Sequence, residues 1–473
     1  MRRYFPRYNK EMHMVFLLCM STHFAVTTAE SQTSDQHDDS YGIIMDGGST
    51  GTKLKVYKWN HRTSGTLPDG QDSKPGVVRN LQLVKSTKFK PGISQIAGKP
   101  DELKGYLDKI MQNAVKEVPK DKHSDTPIYF MATAGLRVLQ INETEDLLTS
   151  IEHYMQTCPF LTPENSVRVI SGEEEGVFAW VAANYLRGFF WSNKPPSQAV
   201  GVLEMGGGST QIAFLPDHSI YANMFPVQIG DVTYLLYAHS YLFYGQNYIV
   251  SRINDYLIAQ NAGSNLNIKN PCMLKGDNTT VLSSGNSVHI MGSSNSSQCL
   301  EIIEIFLKTA ADNWCYPKPC AIGRTYQPSV GNLVFYAISA FVYSPTYLNA
   351  LDELGRLDMQ LLKTNAVQYC QKTLSEVVAT GLNAEYASPY CLMGLYIPSL
   401  LMNAYDFQAD RNIVFVKSKI NEIDIDWALG AMLQFTQNED NFCTISAMSS
   451  YHIWITHTTL ASVILYTAIQ ILF

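Results

Sequence analysis

The chain carries no long basic run, only 16% of its 473 residues are charged, and its net charge is −7. A nucleic-acid groove needs a stripe of Lys and Arg against phosphates, so that class of partner is excluded. There is no CxxC pair and no histidine cluster, which argues against a zinc site. A GxSxG nucleophile elbow is missing as well. The nearest approach to a Walker loop runs from Gly92 to Pro100. Its glycines are one residue too far apart, and Pro100 stands where a Ser or Thr would reach Mg²⁺.

What the chain does have is one short pattern written twice. The first copy is Ile43-Ile-Met-Asp46-Gly47-Gly48-Ser49-Thr50-Gly51-Thr52, and the second is Val202-Leu-Glu204-Met-Gly206-Gly207-Gly208-Ser209-Thr210-Gln211. Each is an apolar strand-like run, a carboxylate, glycines and Ser-Thr, followed by another strand-like run. Glycine lets backbone N–H groups approach a ligand closely, and a row of N–H groups makes an anion-binding concavity. A carboxylate at the strand end can hold a divalent cation directly or through its waters. The duplication points to two related half-domains gripping one polyphosphate.

Hydrophobic residues make up 46% of the chain, enough for sizeable cores in two or three domains. Residues 1–29 combine Arg2, Arg3, Arg7 and Lys10 with an apolar stretch and a small-residue end at Ala29, the layout of a signal peptide or an uncleaved signal anchor. Residues 451–473 contain no Asp, Glu, Lys or Arg and are long enough to cross a bilayer. Small residues upstream would also suit a lipid-anchor signal. Cys19 lies in the targeting segment, and most of the other eight cysteines fall in the second half, as lumenal disulfides would. Asn142, Asn278 and Asn295 head glycosylation sequons. Together these features place the bulk of the protein outside the cytosol, held at a membrane.

Between the ends, residues 30–40 read as a polar linker and 68–75 as turn-rich. Helical spacing marks 101–118, 177–186, 372–381, 399–405 and 424–433, and short strands are expected at 127–131 and 167–170. Residues 262–300 are rich in Asn, Ser and Gly and are expected to form a surface excursion. Alternating strands and helices with a duplicated turn argue for an α/β protein with two sheet-based lobes.

Asp46 and Glu204 are candidate ligands for Mg²⁺ or Ca²⁺, or else partners of Lys and Arg in turns. Glu173, Glu174 and Glu175 open a helix, where acids suit the dipole; one of them could be a general base. Thr133 follows a strand among small residues and is either a donor to phosphate or water, or a satisfied core threonine. Tyr343, Tyr386, Tyr390, Tyr396 and Trp427 could hold a base or fill the core.

The ordered set resembles the nucleoside triphosphate diphosphohydrolases, or apyrases. Five motifs carry the resemblance: Asp46 to Thr52, Ala132 to Leu139, Ile170 to Trp180 with Asn184 to Leu186, Gly201 to Phe214, and Trp427 to Leu433. It implies two RNase H-like lobes of actin/hexokinase type with the site in the interlobe cleft. Lobe I would span 40–172, lobe II 173–417, and 418–447 would return to lobe I. By position Glu175 matches the family's catalytic base, and Asp46 and Glu204 match the metal shell. Gly48, Ser49, Thr50, Thr52, Gly206, Gly207, Gly208 and Ser209 match the phosphate loops. Thr133, Ser209 and Gln211 match residues near the attacking water, and Tyr343 and Tyr386 match the two faces of a base site. Cys315–Cys320 and Cys370–Cys391 match family disulfides, leaving Cys272–Cys299 as a third pair. Two residues depart from the pattern: Glu204 where the family has Asp, and Gly51 where many cell-surface members have His.

The resemblance implies hydrolysis of nucleoside tri- and diphosphates such as ATP, ADP, UTP, UDP and GTP, with Ca²⁺ or Mg²⁺, at the cell surface. The rival readings are a Golgi diphosphatase acting on GDP or UDP, a nucleotide-binding receptor without turnover, and a small-molecule kinase on the same fold.

Overall fold

The computed structural model describes residues 39–60, 80–190, 194–230, 232–261, 266–308 and 314–437. The expected signal segment 1–29, the turn-rich stretch 68–75 and the apolar 451–473 lie outside the described residues. Among the described residues no helix is long and apolar enough to cross a membrane.

The first repeat is the hairpin β1 (Asp39–Gly48) and β2 (Gly51–Asn60); β1 thus takes in Asp39 and Ser40, the last two residues of the expected linker 30–40. With β3 (Gln82–Phe89), β4 (Ile128–Ala132) and β5 (Val167–Val169) it forms sheet I, in the order β3-β2-β1-β4-β5. The second repeat is the hairpin β6 (Gly201–Met205) and β7 (Ser209–Phe214). It is followed by β8 (Met224–Ile229), β9 (Val232–Leu242) and a small sheet of β10 (Asn267–Asn270), β11 (Asn278–Ser283) and β12 (Asn286–Gly292). Further on come β13 (Phe335–Ser339) and β14 (Val414–Val416), completing sheet II in the order β14-β13-β6-β7-β9-β8. Without β8 the two sheets have one plan. The hairpin is antiparallel, a third strand adds antiparallel beside it, and two strands add parallel on the other side. This is the two-lobed α/β fold of actin/hexokinase type.

Strand alternation decides which side chains face the cleft. In sheet I, Ile43, Met45, Leu54 and Val56 pack on one side under helix α1 (Pro100–Glu117) and helix α2 (Ile141–Gln156). On the other side, Ile44, Tyr57 and Trp59 join a second core with helix α3 (Gly172–Leu186). Helix α4 (Gln246–Gln260) and helix α5 (Ser296–Leu307) cover the far side of sheet II. Helix α6 (Met359–Tyr369) and helix α7 (Ala384–Ser399) complete that core. Helix α8 (Trp427–Thr436) belongs to the core shared by both sheets, together with α3.

The pairing of α3 with α8 depends on a small residue. A Cβ on Gly430 would lie 1.9 Å from the carbonyl oxygen of Phe178. The approach of α8 to sheet I rests on charge: Asp426 caps α8 by accepting from the Ala428 N–H at 2.8 Å and forms an ion pair with buried Lys55 of β2.

The stretch expected as a surface excursion is instead an ordered three-stranded sheet with Ile268, Val288 and Ile290 buried, tied down by Cys272–Cys299. Cys315–Cys320 and Cys370–Cys391 are also bonded, and Cys158 is a free thiol. The helices expected at 372–381 and 399–405 are one short turn at Leu374–Val378 and a π-helical extension of α7 at Leu400–Ala404.

Removing one partner of a buried ion pair strands the other charge, at a cost of roughly 3–5 kcal/mol. Asp426→Ala is expected to destabilise the protein by about that amount in thermal or urea unfolding. Lys55→Met combined with Asp426→Asn should recover most of the loss, because no charge is then left unpaired.

Candidate active site

The two hairpin turns face each other across the cleft. A Cβ on Gly207 would stand 2.9 Å from Ser49 Oγ, and one on Gly208 would stand 2.6 Å from the Ala134 side chain. The first turn is seated by two further glycines, since a Cβ on Gly92 or Gly135 would run into the Ser49 backbone. Gly92, which opens the failed Walker-like stretch, thus has a packing role.

Backbone bonds aim the second turn. The N–H groups of Gln246 and Asn247, at the start of α4, donate to the carbonyls of Gly206 and Gly207, and Phe243 N–H donates to Gly208 O. In a trans peptide the C=O and the next N–H point opposite ways, so the N–H groups of Gly207, Gly208 and Ser209 are turned away from these donors. Gly206 N–H is engaged within the hairpin by Ser209 O. In the first turn, Thr133 N–H donates to Gly47 O at 3.2 Å, and Gly48 faces the other way, towards its hairpin partner Gly51.

The three acids opening α3 separate cleanly. Glu174 completes a capping box with Ser171 and pairs with Arg168. Glu173 accepts from Ser240 N–H and faces His239. Glu175 alone is buried in the cleft. Its Oε2 accepts from Arg137 Nη2 at 2.8 Å and from Gln211 Nε2 at 3.3 Å. Gln211 Nε2 also donates to Ser209 Oγ at 2.7 Å and Ser240 Oγ at 3.2 Å. Arg137 is pinned by its Nε to Ile170 O at 3.0 Å.

Asp46 and Glu204 are both buried, at equivalent places on β1 and β6. Asp46 Oδ2 lies 3.8 Å from Lys53 Nζ, and Glu204 Oε1 accepts from Ser339 Oγ at 3.3 Å. Burial pushes the Asp46 carboxyl above its ordinary value, against the pull of Lys53. Burial also raises Glu175, with Arg137 opposing it. Glu204 is raised well above its ordinary value by burial, with the nearby charges of Glu175 and Asp426 adding to the effect. Glu204 Oε2, Gln211 Oε1 and Arg137 Nη1 are buried with no hydrogen-bond partner.

Two buried carboxylates and an orphaned carboxylate oxygen suit a hard divalent cation. Among the described residues no three His, Cys, Asp or Glu side chains stand close enough to cage one. A cation bound here would keep water and phosphate ligands, as Mg²⁺ habitually does.

Thr52 does not join the site. Its position on β2 alternates to the outer side, where its N–H donates to Tyr106 OH of α1. Thr50 is exposed and accepts from Lys88 Nζ at 2.9 Å. Thr133 is buried directly after β4, beside the first turn. Tyr343 and Tyr386 are exposed, and Tyr386 stacks at 6.4 Å on Tyr390, which itself stacks at 4.6 Å on Tyr347. Tyr396 and Trp427 are core residues, with Tyr396 OH donating to Tyr244 O and Trp427 packed on Phe178. Sequence reasoning missed Lys53, Arg137, Ser240 and Ser339 as members of the site. Arg137 lay inside a quoted motif, whereas Lys53 and Ser240 become visible only through strand register.

A carboxyl whose pKa is higher in the folded than in the unfolded chain binds its proton more tightly in the fold. Its contribution to stability is complete below the unfolded value and is lost as pH rises through the folded one. With EDTA present, Glu204→Gln is therefore expected to melt higher than the unsubstituted protein by roughly 2 °C or more at about pH 8. The gap should shrink towards about pH 5; a gap independent of pH would contradict the assignment.

The model of the GDA1/CD39 (nucleoside phosphatase) family matches residues 32–448. Ectonucleoside triphosphate diphosphohydrolase 1 of Bos taurus is 31% identical over 436 residues, covering 84% of this chain and 81% of that protein. Ectonucleoside triphosphate diphosphohydrolase 3 of Mus musculus is 30% identical over 433 residues, covering 84% and 78%. Among solved structures, the nucleoside triphosphate hydrolase of Neospora caninum matches with a TM-score of 0.59 at 16% identity, covering 84% of this chain and 93% of that one. That likeness bears on the fold alone. The family match spans both glycine turns, Arg137 and Glu175, and the chain belongs to the GDA1/CD39 (nucleoside phosphatase) family.

Proposed function

We propose that the protein hydrolyses nucleoside tri- and diphosphates to the monophosphate and inorganic phosphate. The observation that carries this reading is the pair of glycine turns facing each other with buried Glu175 beside them. The relatives' names support the substrate class. A water held by Glu175, Gln211, Ser209 and Thr133 attacks the terminal phosphorus. The bond from that phosphorus to its bridging oxygen breaks, the shortened nucleotide leaves with that oxygen, and Glu175 takes the proton from water. Arg137 keeps the Glu175 carboxylate oriented and charged before the attack. The N–H groups of Gly207 and Gly208, with Ser49, hold the phosphate oxygens as negative charge builds on them. Ca²⁺ or Mg²⁺, bound near Asp46 and Glu204, would supply further neutralisation of phosphate charge.

The base lies between Tyr343 and Tyr386, whose exposed rings offer stacking faces. The lobes divide at 172/173, and the described chain from 418 to 437 returns to lobe I. The compartment is extracellular or lumenal, in keeping with three disulfides and exposed Asn142, Asn278 and Asn295. Membrane attachment rests on the apolar segments at 1–29 and 451–473.

Phosphate release from ATP, ADP, GTP, UDP and AMP, with Ca²⁺, Mg²⁺ or EDTA, tests the reading. Release from tri- and diphosphates but not AMP, abolished by EDTA, is expected. Glu175→Gln should lower kcat by about 10²–10⁴-fold, the usual worth of a general base. Equal turnover in the variant would remove Glu175 from the role.

A further inference from the structure

The shared plan of the two sheets sets up a residue-by-residue comparison across the cleft. In sheet II, Glu204 pairs across the strands with Gln211, and Gln211 pairs with Ser240. In sheet I, the same positions hold Asp46, Lys53 and Lys88. Directly opposite residues of antiparallel strands share a face, so each row runs from its carboxylate along the cleft side of its sheet. The row in sheet II is neutral beyond its acid and is joined by hydrogen bonds to Glu175. The row in sheet I is cationic.

Its two lysines are imperfectly satisfied. Lys53 Nζ stands 3.8 Å from Asp46 Oδ2, too far for a hydrogen bond, and it also lies in the field of Asp426, Glu204 and Tyr343. Asp426 is already paired with Lys55. Lys88 arches over Gly51, where a Cβ would meet its Cε at 2.8 Å, and its ammonium reaches Thr50 Oγ1 beside the first turn. Like charges directly opposite in a sheet repel, and an anion seated between them relieves that repulsion.

We propose that Lys53 is the resident counter-ion of Asp46 and that, once Asp46 is given over to a divalent cation, Lys53 together with Lys88 binds the outermost phosphate of a nucleoside triphosphate. The inference rests on the nucleotide-hydrolase reading and deepens it: the outermost phosphate is the one attacked, and the terminal phosphate of a diphosphate takes the same place, so the row serves both substrates. Lys53 is then a positioning residue on the lobe I side, as Gln211 is on the other.

The test uses Lys53→Gln, which gives sheet I the residue that sheet II carries at the same place, and Lys53→Arg, which keeps the charge. Calorimetry measures Ca²⁺ binding to the nucleotide-free protein, then binding of non-hydrolysable tri- and diphosphate analogues at saturating Ca²⁺. In Lys53→Gln, Ca²⁺ is expected to bind several-fold tighter, because a competing cation has left Asp46. The triphosphate and diphosphate analogues should both bind about tenfold more weakly. Lys53→Arg should stay close to the unsubstituted protein. Unchanged or weaker Ca²⁺ binding in Lys53→Gln overturns the proposal, as does a loss confined to one analogue. If the unsubstituted protein binds both analogues and Lys53→Gln is indistinguishable from it, the role of Lys53 alone fails. If the unsubstituted protein binds neither, the hydrolase reading fails with it.

Discussion

Everything at this site depends on the burial of negative charge. Asp46, Glu175 and Glu204 are taken out of water in one cleft, and each is pushed towards its protonated form by that burial. Desolvated carboxylates are costly unless paired, and the protein supplies only part of the pairing. Arg137 serves Glu175, Lys53 stands off from Asp46, and one oxygen of Glu204 has no partner. The unmet demand is for positive charge, which is what a divalent cation brings. The same low-polarity setting strengthens every N–H that meets a phosphate.

The geometry that gathers these groups is a duplication. Each sheet ends its first strand with a carboxylate, turns on glycine and returns with a polar residue opposite that carboxylate. The turns can approach only because Gly207 and Gly208 have no side chain to meet Ser49 and Ala134. Between the sheets, α3 and α8 pack through Gly430, and the Lys55–Asp426 pair ties α8 to sheet I. Buried Glu175 sits in the first turn of α3, so the helix packed in the core shared by both sheets also aims this carboxylate.

Much of this was legible in the residues. The two glycine turns, their carboxylates and the α/β alternation follow from short-range pattern, because turn chemistry and strand alternation are local. Which of Glu173, Glu174 and Glu175 faces inward could not be read from spacing; the resemblance pointed to Glu175, and the capping box that occupies Glu174 is the physical reason the helix rotates this way. Thr52 was grouped with the phosphate loop by proximity in sequence, yet one step along a strand reverses the side chain to the outer side, where the backbone N–H meets Tyr106 of α1. Lys53 and Ser240 were invisible for the opposite reason. Only register between strands brings Ser240 beside Gln211 and Lys53 beside Asp46. Residues 262–300 looked loop-like by composition, although Ile268, Val288 and Ile290 supply a buried face and a disulfide holds it.

The central claim is that both turns close on one polyphosphate. Amide hydrogen exchange across a titration with Ca²⁺ and a non-hydrolysable triphosphate analogue tests it most directly. The account predicts that residues 47–52 and 206–211 slow together, with one shared dependence on analogue concentration. Protection of one turn while the other exchanges as in the free protein would contradict it.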